Sequence, residues 1–289
     1  TRAMPAVEDP DNALARYRLC AQARQAFDTL DDAAIVHALI EATKRAFLVR
    51  DSLITSPECI EGALEGSLEG SIATQQAQLS PEALARQAEM IDMQSALGWP
   101  HEPAEGDTIW MGATDSDGTT VSFIQSVYWE FGSGVVLPSS GVMWQNRGLA
   151  FDLAPDRLRS LAPGRKPFHT LNPSLACFDD GRVMAFGTMG GEGQPQTQAA
   201  VLNRIVRYGQ PVQQALTAPR WLLGRTWGSD STNLIVESRF PDEVIEALRT
   251  AGQDVEGVGP YSDLMGHAGA LVRRPDGMTE AGFDPRSDG

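Results

Sequence analysis

Thr108 opens a run rich in β-branched and aromatic residues, Ile109 to Thr114, and a second such run, Thr119 to Val127, carries Ser126 near its end. The two runs flank Asp115-Ser116-Asp117-Gly118, a turn sequence that predicts a hairpin. If Ser116-Asp117 is a two-residue loop, Asp115 pairs with Gly118 and Thr108 falls opposite Gln125. A shift of one residue sets Thr108 against Ser126, so one hydroxyl lies beside another on the neighbouring strand. Cutting the chain after Asp107 would free an α-amine on Thr108 with a pKa of about 8, the usual value for that group. That amine can take the proton from Thr108 Oγ1, which puts nucleophile and base in a single residue. Ser126 would then hold the threonine rotamer by a hydrogen bond. The pattern alone favours a plainer reading, in which Asp107-Thr108 is an ordinary strand entry.

The elements that would position these groups change character at Thr108. Upstream, the chain reads as helical. Ala13 to Phe27 is rich in Ala, Leu, Arg and Gln, and Asp31 is placed to cap a second helix with Ile35, Val36, Leu39, Ile40, Thr43, Ala46 and Phe47 at helical spacing. Ser56 to Ala77 reads as a loop, and Ser80-Pro81 as a helix start with Ala85, Met90, Ile91 and Leu97 on its apolar side. Pro100, Pro103 and Gly106 predict an extended, exposed connection of the kind that processing requires. Downstream, Leu175–Phe178 and Arg182–Phe186 form a second predicted hairpin, and Ala268–Arg273 pairs with the residues from Met278 onward. Helices are expected over Gln196–Tyr208, ended by Gly209, and over Pro241–Ala251, closed by Gly252, with a strand at Leu234–Ser238. Strands mixed with helices, mostly in antiparallel hairpins, indicate an α+β layered domain.

With 289 residues, 42% of them hydrophobic, the chain can bury a sizeable core. Its formal charge of -15 argues against nucleic acid or an anionic membrane surface as partner. No apolar run approaches the roughly 20 residues that span a bilayer. Cys20, Cys59 and Cys177 are far apart and lack CxxC or HExxH companions, so they read as free, partly buried thiols with no metal. They fit a reducing compartment such as the cytoplasm, and a periplasmic location is also compatible. His37 and His101 read as surface or helix residues and His267 as a residue behind a pocket. Trp110, Trp129, Trp144, Trp221 and Trp227 read as core or pocket wall. The chain starts at Thr1 without a basic-then-apolar leader, which implies a removed leader or a piece of something longer.

Longer motifs carry a family resemblance. Gly106 to Phe151 (GDTIWMGATDSDGTTVSFIQSVYWEFGSGVVLPSSGVMWQNRGLAF) resembles the start of the small subunit of γ-glutamyltransferase-like enzymes. The likeness continues through PFHTLNPSLACFDDGRVMAFGTMGGEGQPQ, APRW and the closing AGFDPRSDG. EATKRAFLVRD at Glu41–Asp51 resembles the end of the large subunit. The resemblance implies a four-layer αββα sandwich of the N-terminal-nucleophile hydrolase type, with a helical N-terminal portion and no cofactor. It implies self-cleavage between Asp107 and Thr108. Residues 1–107 would be the C-terminal part of the large (α) subunit and 108–289 the small (β) subunit, together one catalytic domain. The two products would form a heterodimer, with further dimerisation left open. Thr108 would attack an amide carbonyl, and water would resolve the acyl-enzyme. Motif matching puts the tandem glycines of the oxyanion hole at Gly190 and Gly191, where the absence of Cβ lets backbone N–H groups approach the oxyanion. Only 107 residues precede Thr108, although the large subunit in this family runs to several hundred. That shortfall implies a fragment, or a member whose N-terminal half is absent or supplied by another chain.

The departures from the family pattern bear on substrate. The resemblance puts Tyr128 where glutamyl-specific members have Asn. It puts Arg147 and Ala150 where they have acidic or amide residues for the α-ammonium, and His169 and Thr170 where they have paired serines. Exchanging acid for base at Arg147 disfavours a γ-glutamyl donor and suits a bidentate grip on a carboxylate. The expected substrate is a small anionic amide, and the WQNRG and PFHTLNP segments resemble the oxamate-hydrolysing subgroup. His169 has a plain alternative role as a turn residue. Competing readings are an acylase for glutaryl-type β-lactam side chains, a γ-glutamyl hydrolase or transferase, and an inactive truncated homologue acting as an interaction partner.

Overall fold

The computed structural model describes residues 33–55, 68–99, 107–224 and 233–287. The helix expected at Ala13–Phe27, the Asp31 cap, Cys20, Cys59, His101, Trp227 and the Pro100–Gly106 connection lie outside these residues.

Helix α1 (Ala33–Leu53) follows the apolar spacing of its sequence and lays Val36 and Ile40 on a three-stranded sheet, although Ala46 is exposed. Helix α2 (Leu68–Ala77) occupies part of the stretch expected to be a loop. Beyond Gly70 that segment consists mainly of ordinary helix formers, Ala and Gln among them, and they outweigh the Gly and Ser that dominate its first half. Helix α3 (Pro81–Glu89) is capped as expected, with Ser80 Oγ accepting from the Ala83 backbone N–H at 3.2 Å. It ends before Met90, which is exposed, and Leu84 packs instead on Ala42 of α1.

From Thr108 onward the fold is α+β. Strands β1 (Asp107–Thr114) and β2 (Thr120–Tyr128) form the first hairpin; β3 (Ser174–Cys177) and β4 (Val183–Thr188) form the second. Helix α4 (Gln194–Leu202) runs on through a π turn at Asn203–Arg207 and is followed by α5 (Val212–Thr217). Strand β5 (Trp221–Leu223), strand β6 (Leu234–Glu237), helix α6 (Asp242–Thr250) and strand β7 (Val255–Val258) build the three-stranded sheet. Strands β8 (Ala268–Arg273) and β9 (Thr279–Phe283) complete a four-stranded sheet of order β3-β4-β8-β9. That sheet is antiparallel throughout, whereas β6 and β7 pair in parallel, because α6 serves as a crossover between them. Hairpins therefore do not account for all the pairing.

Strand alternation separates three layers. Met184 and Phe186 of β4 and Ala268, Ala270 and Val272 of β8 face α4 and α5, where Val201, Leu202 and Leu216 close a core. The opposite face carries Gly187 and Gly269, and the β1–β2 hairpin lies on it. Trp110 is the reason for those glycines: a Cβ on Gly187 or Gly269 would stand 2.1 or 2.3 Å from its ring. Its indole N–H donates to Ser122 Oγ at 2.9 Å. This stacking fixes the hairpin, and with it Thr108, on the sheet.

Some side chains lie where expected and others elsewhere. His37 is a helix residue, the second of its two expected places, and is buried in a polar cluster in which Lys44 Nζ donates to Glu41 and Gln253 at 2.9 Å each. Cys177 is free but exposed, and Trp129 and Trp144 are exposed while Trp221 is buried. Cys177 lies in a four-residue edge strand and Trp144 in an irregular segment.

Candidate active site

The hairpin register is the shifted one. The Asp115 N–H donates to Thr119 O and its carboxylate accepts the Thr119 N–H, the loop is longer than two residues, and Ile109 rather than Thr108 pairs with Gln125. Between Asp107↔Tyr128 and Ile109↔Gln125 the ladder slips, leaving one residue on β1 against two on β2. Such bulges re-aim side chains. Here the bulge turns Thr108 toward Ser126, and Thr108 Oγ1 donates to Ser126 Oγ at 3.0 Å. Ser126 Oγ also accepts the Tyr128 backbone N–H at 2.9 Å, so its acceptor position is held by the chain itself. Thr108 is 9% exposed: nearly enclosed, yet reachable.

Tyr128 adopts φ 82°, in the left-handed region that a bulky L-residue seldom enters. The strain turns β2 out of the sheet and lays the Tyr128 ring under Arg147, whose Cζ is 4.0 Å from the ring centroid. Arg147 begins a 3-10 turn (Arg147–Ala150) and is 3% exposed. One guanidinium nitrogen donates to Thr170 Oγ1 at 3.0 Å, while Nε is buried without an acceptor. No carboxylate among the described residues lies within ion-pair distance of it. Burial lowers the Arg147 pKa, with the Tyr128 and Glu192 charges opposing. Burial, and then the Arg147 charge, lower that of His169, so this imidazole is neutral near pH 7.

Gly190 (φ 113°) and Gly191 (φ 50°) form a left-handed turn between β4 and the start of α4. Positive φ at both positions explains the glycines, and the turn leads into the N-terminal end of a helix, where backbone N–H groups are unpaired. The Gly193 N–H donates to Gly190 O at 2.7 Å and closes the turn.

Thr108, Ser126, Tyr128, Arg147 and Thr170 are thus joined by direct contacts, His169 adjoins Thr170, and Arg147 lies within electrostatic range of Glu192, the residue after Gly191. Asp107 pairs with Tyr128 across the hairpin, and His267 has a buried Nε2 without a partner. The structure also exposes supporting residues that the sequence reading missed. Gln194 Oε1 accepts the Asn172 N–H at 3.1 Å, and Gln198 Nε2 donates to Asn172 O at 2.8 Å, so two glutamines one helical turn apart hold the loop after Thr170. Arg50, at the end of α1, pairs with Glu192 and with Asp51, and Asp51 pairs with Arg159. The i, i+4 spacing of Gln194 and Gln198 was the available signal for the first pair. A cavity of about 200 Å³ opens beside His169, with Arg159, Arg165, Lys166 and Phe168 in its wall.

Comparison with known proteins bears on the whole arrangement. A family model described as gamma-glutamyltranspeptidase matches residues 14–289. The oxamate amidohydrolase proenzyme of Klebsiella pneumoniae subsp. pneumoniae is 53% identical over 90% of this chain and 47% of its own length. The glutathione hydrolase-like YwrD proenzyme of Bacillus subtilis is 42% identical over 88% of this chain and 46% of its own. The chain therefore spans about half the length of the curated relatives it matches. Among solved structures, cephalosporin acylase from Bacillus halodurans superposes with a TM-score of 0.72 and 30% identity, covering 96% of this chain and 48% of that one.

Proposed function

The chain belongs to the gamma-glutamyltranspeptidase family, and on that premise we propose that it is the catalytic portion of a self-cleaving amidohydrolase that acts on a small anionic amide such as oxamate. The observation that carries the reading is Arg147, a buried cation with an unpaired N–H and no carboxylate partner among the described residues, three contacts away from Thr108 through Ser126 and Tyr128. An isolated buried charge is unfavourable unless a counter-ion joins it. A substrate carboxylate would supply that counter-ion. The similarity to an oxamate amidohydrolase proenzyme supports the same choice.

In this mechanism the bond between Asp107 and Thr108 is cut first, giving residues 1–107 to the large subunit and 108–289 to the small subunit of a heterodimer. The layers described would belong to a four-layer αββα sandwich. The freed α-amine of Thr108 takes the Oγ1 proton, and Oγ1 attacks the oxamate amide carbon while Ser126 holds its rotamer. N–H groups at Gly190 and Gly191 stabilise the oxyanion. The tetrahedral intermediate expels ammonia, which takes the proton from the amine. Water then attacks the oxalyl ester, releasing oxalate and restoring Thr108. Arg147, with Thr170 and His169 beside it and Tyr128 beneath, holds the carboxylate throughout.

Two measurements on one preparation test this reading. Intact mass is expected to show two fragments, the second beginning at Thr108, and ammonia is expected to appear from oxamate. A single uncut chain that releases no ammonia would instead favour the interaction-partner reading. The cavity beside His169 favours a second reading: its apolar and cationic wall offers room beyond a two-carbon acid, as a glutaryl-type acylase would need. Faster cleavage of glutaryl amides than of oxamate would select that alternative.

A further inference from the structure

Glu192 directly follows the Gly190–Gly191 turn and lies close enough for its charge to act on Arg147, yet it pairs with Arg50. Arg50 belongs to α1, 142 residues upstream, and is held firmly. Its Nε and Nη2 donate to the two Asp51 carboxylate oxygens at 2.7 and 3.0 Å, and its guanidinium lies 4.1 Å from the Phe47 ring centroid. Arg159 shares Asp51 at 3.1 Å and stacks on Phe168 at 3.9 Å. Among the described residues, three guanidiniums, Arg50, Arg147 and Arg159, thus meet two carboxylates, Asp51 and Glu192. Both carboxylates are taken by Arg50 and Arg159, which leaves the surplus positive charge on Arg147.

We propose that Arg50 is a positioning residue for substrate choice: by holding Glu192 it prevents that carboxylate from neutralising Arg147, so an incoming anion meets an uncompensated cation. The proposal rests on Arg147 as the anion grip. Without Arg50, Glu192 would be released beside Arg147, where it would compete with the substrate carboxylate and repel it. The loss should fall on substrate binding rather than on the chemical step, because the Thr108 and Gly190 geometry is untouched. Neutralising Glu192 should reverse it. A purely structural role for Arg50 would not be rescued in that way.

The test is a cycle of Arg50→Met, Glu192→Gln and their combination in the full chain, with oxamate hydrolysis as readout. Like-charge juxtaposition at a binding site costs several kcal/mol, so Arg50→Met is expected to raise KM by about 30-fold or more with kcat within about 3-fold. The double variant is expected to return KM to within about 5-fold of the parent, and Glu192→Gln alone to leave KM unchanged or lower, on the same electrostatic argument. A double variant as impaired as Arg50→Met, or a loss confined to kcat, overturns the assignment. If Arg50→Met does not fold, Glu192→Gln decides: a raised KM overturns the proposal. Titration of oxalate into the Thr108→Ala background separates the two levels of the argument, since it needs no turnover. A parent chain that neither hydrolyses oxamate nor binds oxalate removes both the function and this inference. Oxalate binding that is lost with Arg50→Met and not regained with Glu192→Gln removes only the inference.

Discussion

Two buried arginine sites in this protein are built on opposite principles. At the C-terminal end of the chain, Arg286 gives Nε and Nη2 to Glu237 at 2.7 and 2.6 Å and Nη1 to Asp284 at 3.0 Å, while the carbonyls of Leu216 and Ala218 accept its remaining N–H groups. Arg220 sits 2.5 Å from Asp284 and donates to the carbonyls of Met265, Gly266 and Leu216. Burial pulls the Arg220 pKa down to about 10 against the pull of Asp284. Burial would raise Asp284, but the Arg220 and Arg286 charges outweigh it and hold that carboxyl below its usual range. Arg220 also leaves Nε without an acceptor, but its charge is matched. Arg147 is as deeply buried, and among the described residues it has a hydroxyl, an aromatic face and no carboxylate. A matched arginine site ties segments together. An unmatched one is suited to a ligand. On the proposed function, fold and binding use the same side chain, and the carboxylate count separates the two uses.

The comparison can be broken by removing each arginine in turn. Arg286→Met takes the bidentate partner from buried Glu237 and one of two arginines from Asp284, and is expected to cost about 3–5 kcal/mol, as breaking a buried ion pair generally does, read as a fall in denaturant midpoint. Arg147→Met should leave the chain as stable as the parent or more so, because an unpaired buried charge is unfavourable to the fold. The same change should lower kcat/KM for oxamate by about 100-fold or more, the scale of losing one partner of a desolvated charge pair. If Arg147→Met destabilised the chain as much as Arg286→Met, the two sites would be of one kind.

Smaller effects sharpen the picture. Gly190→Ala forces a Cβ into φ 113° and should cost about 1–2 kcal/mol of local strain, seen chiefly as a loss in kcat if this turn supplies the oxyanion donors. Acid should loosen the matched site first. The depressed Asp284 pKa means its stabilisation is present above the unfolded value of about 3.9 and is lost as pH falls through the folded value. Unfolding monitored below about pH 4 should show this, and Asp284→Asn should flatten it. The smallest effect is expected at His169. Its pKa lies below the ordinary value through burial and the Arg147 charge, so it is neutral near pH 7 and gains a proton only as the pH falls below about 6.5. Oxamate KM should therefore fall modestly with falling pH in the parent and change less in His169→Ala.

Much of the geometry near Thr108 was readable from sequence because a hairpin transmits register: once the turn is located, every facing pair follows. The count left two registers, and the Asp115–Thr119 contact selects the one that faces Ser126. The bulge and the left-handed Tyr128 were not readable, since neither has a residue-type signature at those positions. The burial of the polar face of helix α4 has no signature in the residue types. Gln194, Gln196 and Gln198 are buried, and Gln196 exchanges two hydrogen bonds with the Leu223 backbone, so amides do there what apolar side chains do elsewhere. Strand β7 escaped notice because Val255–Val258 is short and half-exposed, although strand, helix and strand in succession is the pattern of a parallel crossover. The Arg50–Glu192 pair joins residues too distant in sequence for any local pattern to reveal.

The unmatched charge at Arg147 is tested most directly by titrating oxamate into the Thr108→Ala chain with and without Arg147→Met, followed by calorimetry. The account predicts binding at one site per chain that weakens by about 30-fold or more when the guanidinium is removed, the usual scale for a buried charge pair. Equal affinity in the two chains would contradict it.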